Sequence, residues 1–210
     1  MIGNKITCVM KRCLLQLLNI SFLLIFSFQG FCQKRVIKVI YIGDSITYGG
    51  WLNDIGTEAP PVLASSYLKH QRGIDSVEFS NQGHSGYTTV NFLPGGNAFI
   101  AAEKAVGSFS DKDGSLVFSI MLGTNDSAVK GPRGAPVAPE DFKINMKSIV
   151  DQLLSDFPKS KIVINLPLWY SPNTYNGAQY LQEGLDRLQS YSEPIKMLIK
   201  EYHNDRVFLG

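Results

Sequence analysis

The stretch VIKVIYIGDSIT, residues 36–47, decides how the rest of the chain is read. Its first seven residues are β-branched or aromatic apart from Lys38, which is the composition of a strand. The run breaks off in Gly43-Asp44-Ser45, so a hydroxyl stands directly after a strand. Further strand patterns follow downstream. SVEFSN (76–81) alternates Val77 and Phe79 with polar neighbours. SLVFSIML (115–122) and KIVINLPLW (161–169) are near-continuous apolar runs, as strands buried on both faces would be. RVFLG (206–210) begins a fifth.

Helical patterns lie between them. From Pro139 to Phe157 the apolar residues Phe142, Met146, Ile149, Val150, Leu153 and Leu154 fall on one helical face. Pro139, followed by Glu140 and Asp141, makes a good helix start. Residues 178–188 and 194–202 predict two more helices, the second opened by Ser192 as N-cap. Residues 58–70 form a weaker pattern, with Pro60 and Pro61 in its first turn. Strand alternating with helix predicts an α/β fold, a mainly parallel sheet with helices on both faces. Such sheets bind ligands beyond the carboxyl ends of their strands, so chemically active residues are expected directly after strands.

Three loops meet that expectation. The first strand delivers Ser45. The second delivers Asn81-Gln82-Gly83-His84-Ser85-Gly86-Tyr87-Thr88-Thr89, whose glycines permit close backbone approach and an outward N–H. The third delivers Gly123-Thr124-Asn125-Asp126, where Asn125 offers an amide donor. Each loop taken singly reads better as a plain turn. Together they supply a hydroxyl nucleophile and two donors for developing negative charge, the set that acyl transfer through a tetrahedral intermediate needs.

These blocks resemble those of the SGNH (GDSL-type) hydrolase family. GDSIT is similar to its first block, N-x-G-x-x-G-x-T-T to its second and GTND to its third, and the resemblance runs from about Val36 to the end of the chain. It implies a three-layer α/β/α sandwich with a flavodoxin-like sheet. It also implies a serine nucleophile, Ser45, whose own N–H joins Gly86 and Asn125 in an oxyanion hole. No metal and no organic cofactor is implied.

One part of the pattern is absent. The family's general base is a histidine in a D-x-x-H block near the C-terminus, and no D-x-x-H occurs in these 210 residues. A serine without a base is a poor nucleophile near neutral pH. His70 and His203 read as surface residues near helix ends. His84, two residues before Gly86, could approach Ser45, although a structural or substrate-facing role is the plainer reading. The simplest expectation is an incomplete domain whose last strand, base and final helix lie beyond Gly210, and a chain without that base is expected to be weakly active or inactive.

The first thirty residues have a different composition. Lys11 and Arg12 precede sixteen uncharged residues, Cys13 to Phe28, and Gly30 and Cys32 follow as small residues two apart. This is the pattern of a cleaved signal peptide, residues 1–32, ahead of a hydrolase domain at 33–210. The alternatives are an uncleaved anchor, for which the run is short, and a lipoprotein Cys32, which the bulky Phe31 disfavours; translation can start at Met1 or Met10. Residues 1–32 hold Lys5, Lys11 and Arg12 and no acid, so the remainder keeps 17 basic and 18 acidic groups, a net charge of −1. That balance gives no footprint for nucleic acid. All three cysteines, Cys8, Cys13 and Cys32, lie in the same segment, which leaves the exported domain without a disulfide.

Two segments are placed to cover the site. Residues 127–139, with Gly131, Pro132, Arg133, Gly134 and Pro136, read as an ordered loop after Asn125. WYSPNTYNGAQY (169–180) follows the fourth strand and carries Trp169, Tyr170, Tyr175 and Tyr180. Aromatics beside a catalytic site suit sugar faces and aryl groups, whereas a lipase needs a broader aliphatic surface. The expected substrate is therefore an acylated glycan or small-molecule ester, with deacetylation of a carbohydrate foremost. The competing expectations are a non-catalytic carbohydrate-binding protein, a lysophospholipase or thioesterase of the same family, and aromatics that merely pack their loop.

Overall fold

The computed structural model describes residues 35–175, 177–203 and 205–210. The expected signal segment, 1–32, lies outside them. Five parallel strands, β1 (Val36–Gly43), β2 (Ser76–Gly83), β3 (Ser115–Met121), β4 (Lys161–Ile164) and β5 (Val207–Leu209), form one sheet in the order β2-β1-β3-β4-β5. The chain therefore starts near one side of the sheet, adds β2 outside β1, then crosses over and builds outward in the other direction.

The helices are α1 (Ser45–Tyr48), α2 (Ile55–Glu58), α3 (Pro60–Lys69), α4 (Asn97–Val106), α5 (Pro139–Asp156), α6 (Leu181–Ser190) and α7 (Ser192–Glu201), with a 3-10 turn at Thr89–Phe92. The α5 stripe packs as its spacing requires, with Phe142, Met146, Ile149, Val150 and Leu153 all buried. They meet Ile40, Ile42, Phe118, Ile120, Ile162 and Ile164 of the sheet, and Phe99 of α4 and Leu198 of α7 complete the same cluster. On the other face, Tyr41 meets α3 through a 3.1 Å hydrogen bond with Ser65.

The structure corrects several boundaries. β4 stops at Ile164 rather than running to Trp169. Asn165 turns its amide onto Ser119 Oγ at 2.9 Å, and Pro167 has no N–H to continue a ladder. Nor are β3 and β4 buried on both faces: Phe118, Ile120, Ile162 and Ile164 are buried, while Val117, Ser119 and Val163 on the other face are half-buried. α4 has no counterpart in the sequence reading; its buried residues are Ala98, Phe99 and Ala102. α6 begins at Leu181, not residue 178, since Gln179 pairs with Lys130. Ser192 is the first helical residue of α7 rather than its cap; Tyr191 takes that place, stacked on Phe142 at 4.1 Å and donating to Val137 O at 2.6 Å.

Two glycines let α1 sit tight on the strand ends. A Cβ at Gly83 would lie 2.7 Å from Thr47 C and against Tyr48 N, both backbone atoms that cannot rotate away. Gly83→Ala is therefore expected to destabilise the fold by about 1–3 kcal/mol, the usual cost of overpacking, read as a lowered urea midpoint.

Candidate active site

In the parallel register Gly43 stands beside both Gly83 and Met121. β1, β2 and β3 therefore end level, and the loops after them start side by side. α1 opens on Ser45. Asp44 caps it, its Oδ1 accepting the Ile46 N–H at 2.8 Å, and Gly49 closes it in the left-handed region at φ 89°. Asp44 is buried, which raises its carboxyl above the usual range, while the Ile46 N–H and the Thr124 side chain partly offset that rise.

The second loop is tied to the first by Asn81. Its Nδ2 donates to Thr47 O at 3.1 Å and its Oδ1 accepts the Gly83 N–H at 2.9 Å. His84 N–H then donates to Gly43 O at 3.0 Å. Gly86 has φ +78°, a conformation that suits glycine, and a Cβ there would meet nothing within 4 Å. Among the described residues the Gly86 N–H and the Ser45 hydroxyl form no hydrogen bond.

In the third loop Asn125 is buried to 4 % exposure, and its amide is oriented at both ends. Nδ2 donates one hydrogen to Tyr87 O at 2.9 Å, and Oδ1 accepts from the Tyr180 hydroxyl at 3.0 Å. That arrangement leaves the second Nδ2 hydrogen for a ligand.

Ser45, Gly86 and Asn125 line one cleft of about 620 Å3. Gly50 and Trp51 line it from the turn after α1, Ser85 from the second loop, Gly131 and Pro132 from the loop after β3, and Gly177 and Ala178 from the loop after β4. The last two loops are pinned together by Gln179 N–H donating to Lys130 O at 2.7 Å. A Cβ at Gly131 would lie 2.5 Å from that of Ala178.

The histidines fall elsewhere. His84 is half-buried and stacks on Tyr87 with centroids 4.8 Å apart; burial lowers its pKa, and it is not among the cleft residues. The Nδ1 of His70 lies 2.7 Å from Ser66 O on an exposed helix end, and His203 is exposed beyond α7. Among the described residues no three His, Cys, Asp or Glu side chains are grouped to hold a metal ion.

The aromatic loop divides. Tyr180 is buried and Tyr170 half-buried, 4.6 Å apart, with the Tyr170 hydroxyl 2.6 Å from Ser127 Oγ. Trp169 and Tyr175 are exposed, and none of the four lines the cleft. The cleft's aromatic is Trp51, which sequence reasoning passed over because it stands alone beyond the GDSIT block. Tyr180 acquires its position beside Asn125 only through the loop pairing. Asn81 was visible as a motif letter but not as a tether.

Behind the cleft lies Asp126, fully buried. Its Oδ1 accepts the Thr89 N–H at 2.9 Å and a short hydrogen bond from Thr89 Oγ1, and Asn145 donates to that hydroxyl at 3.0 Å. Oδ2 has no partner among the described residues. Burial, with Asp44 nearby, pushes the Asp126 carboxyl up to about 6.

Residues 41–206 match the family described as GDSL-like lipase/acylhydrolase. Among solved structures, the chain is similar to Est24, a carbohydrate acetylesterase from Sinorhizobium meliloti, at 22 % identity over 84 % of each chain with a TM-score of 0.56. It is similar to AlinE4, an SGNH-hydrolase family esterase, at 21 % identity over 84 % of this chain and 75 % of that one, TM-score 0.54. A G-D-S-L family lipolytic protein from Veillonella parvula gives 19 % identity, 81 % and 76 % coverage and a TM-score of 0.55. At these identities the likeness is one of fold. No curated protein matches the chain.

The buried acid carries a prediction. A carboxyl raised in the folded state binds a proton more tightly there than in the unfolded chain, so its stabilising effect is present below about pH 4 and is lost as pH rises through about 6. Asp126→Asn has no such dependence. Denaturant titrations at about pH 4 and about pH 7.5 should shift the stability difference against the wild type by up to about 3 kcal/mol at the higher pH.

Proposed function

The chain belongs to the GDSL-like lipase/acylhydrolase family, whose members hydrolyse esters, and we propose that it is an exported serine esterase that removes acyl groups from a carbohydrate. The observation that supports the reading is that Ser45, Gly86 and Asn125, from the loops after three neighbouring strands, line one cleft. In this reading the Ser45 hydroxyl oxygen attacks the acyl carbon. The carbonyl oxygen becomes an oxyanion held by the N–H groups of Ser45 and Gly86 and by Asn125 Nδ2. As the intermediate collapses, the bond from the acyl carbon to the sugar oxygen breaks and that oxygen takes up a proton from solvent; water then cleaves the acyl-serine to the free acid and restores the Ser45 hydroxyl. The Ser45 proton passes to solvent or to a dissolved base, since no acceptor among the described residues hydrogen-bonds the Ser45 hydroxyl.

The carbohydrate preference rests on the cleft wall. Most of its lining is glycine, serine, alanine and asparagine, and Trp51 and Pro132 are its bulky apolar side chains. A long acyl chain would find few aliphatic groups to bury against, whereas a hydroxylated ring would find backbone and side-chain polar groups. The activity in the name of Est24 points the same way. Export rests on residues 1–32, with their basic pair and uncharged run. Among the described residues no helix is long and apolar enough to cross a membrane. A second reading, a carbohydrate-binding protein without turnover, draws on the lack of a hydrogen bond between Ser45 and any histidine among the described residues.

The test is hydrolysis of an aryl acetate by the wild type and by Ser45→Ala, each with and without added imidazole as an external base. Turnover that disappears in Ser45→Ala, after subtracting imidazole's own reaction, supports the esterase. Glycan binding with no Ser45-dependent turnover under either condition favours the second reading. Faster cleavage of long-chain esters than of acetylated oligosaccharide would overturn the carbohydrate assignment. Asn125→Ala should lower kcat by roughly 10²–10³-fold, as removal of an oxyanion donor does. Tyr180→Phe, which keeps the ring and frees Asn125 Oδ1, should lower kcat roughly tenfold with little change in KM.

A further inference from the structure

Trp51 is 91 % exposed, yet it lines the cleft that holds Ser45. Among the described residues it is also one of three non-glycine residues with positive φ, at +76°. The turn that produces this angle is closed by Leu52 N–H donating to Gly49 O at 3.2 Å, which places Trp51 third of four residues. In a turn with positive φ at that position the usual occupant is glycine or asparagine. A bulky aromatic is strained there, and the strain brings no burial in return, since the ring faces solvent. The turn is not loosely attached: Gly50 N–H donates to Ser45 O at 2.8 Å, so the indole hangs at a short, fixed span from the nucleophile.

A strained backbone that holds an almost fully exposed indole beside a nucleophile is explained by a ligand. We infer that Trp51 is a specificity-determining residue that stacks against the ring of the sugar whose ester Ser45 attacks. The inference rests on the carbohydrate reading above and deepens it. The face of a pyranose is a sheet of C–H groups with hydroxyls at its rim. An indole face matches the first, and the Ser85 hydroxyl and neighbouring backbone of the cleft match the second. An acyclic alcohol offers no such face and gains little from Trp51.

The chain has two tryptophans, Trp51 and Trp169, and the latter lies outside the cleft. In Trp169→Phe the fluorescence of Trp51 stands alone, and titration with an acetylated xylooligosaccharide should shift its emission to the blue and saturate. Trp51→Ala should raise KM for that oligosaccharide roughly tenfold or more with kcat nearly unchanged, while KM for glycerol triacetate stays where it was. Trp51→Phe should retain most of the binding. An emission spectrum that does not move at oligosaccharide concentrations supporting turnover would overturn the inference. So would a Trp51→Ala loss equal for both substrates, which marks a general structural role. If neither ester is hydrolysed but the emission still shifts, the esterase reading fails while Trp51 remains a sugar platform. If glycerol triacetate is cleaved and the oligosaccharide neither binds nor reacts, the sugar assignment fails and the esterase stands.

Discussion

The site depends on a level ending. Because β1, β2 and β3 are parallel and in register at Gly43, Gly83 and Met121, their loops emerge from one line. A shift of one residue in either pairing would turn the side chains of a strand to the opposite face and displace its loop by more than 3 Å. The register is in turn specified by the buried row of Ile40, Ile42, Phe118 and Ile120 against α4 and α5. Core packing and site assembly are thus one constraint, and the glycines at the strand ends allow α1 to rest on that line without standing off.

Polar order is layered on this frame. Asn81 ties the second loop to α1, Asn125 ties the third loop to the second through Tyr87 O, and Tyr180 ties the loop after β4 to Asn125. Asp126 and Thr89 lie beneath, with Asn145 of α5 joining them to the core helix. The Asn125 amide, which lines the cleft, is therefore held at both its nitrogen and its oxygen.

Much of this was legible in the sequence, and the reasons are local. The β-branched run before Gly43, the long apolar stripe of α5 and the three strand-end motifs are strong short-range patterns. Ser45 and Asn125 stood out as polar residues shortly after strands, and Gly86 was picked out within its loop by the resemblance of that block to the SGNH family. What escaped depends on long-range pairing or weak periodicity. α4 is a ten-residue helix whose buried residues are Ala98, Phe99 and Ala102, too short a run to offer a long stripe. Tyr180 comes to Asn125 only because Gln179 pairs with Lys130, a partner 49 positions earlier in the chain. Trp51 could not be placed, since nothing in its neighbours says whether a lone aromatic is turned into a core or left at a rim. The aromatic cluster at 169–180 misled for the converse reason: density of rings in sequence does not say which of them face a cavity.

The cleft walls are drawn largely in main chain. Gly86, Gly131 and Gly177 all sit at positive φ, and Ser85, Gly50 and Ala178 add little beyond a β-carbon. Its contour is accordingly set by backbone dihedrals rather than by rotamers, and it has few side chains that can swing aside to admit a new ligand. Apart from Trp51, whose side chain a point substitution can change, divergence in what this pocket accepts would come through insertions and deletions in the loops after β3 and β4. Proteins sharing these three motifs can thus differ widely in ligand while their motif residues stay the same.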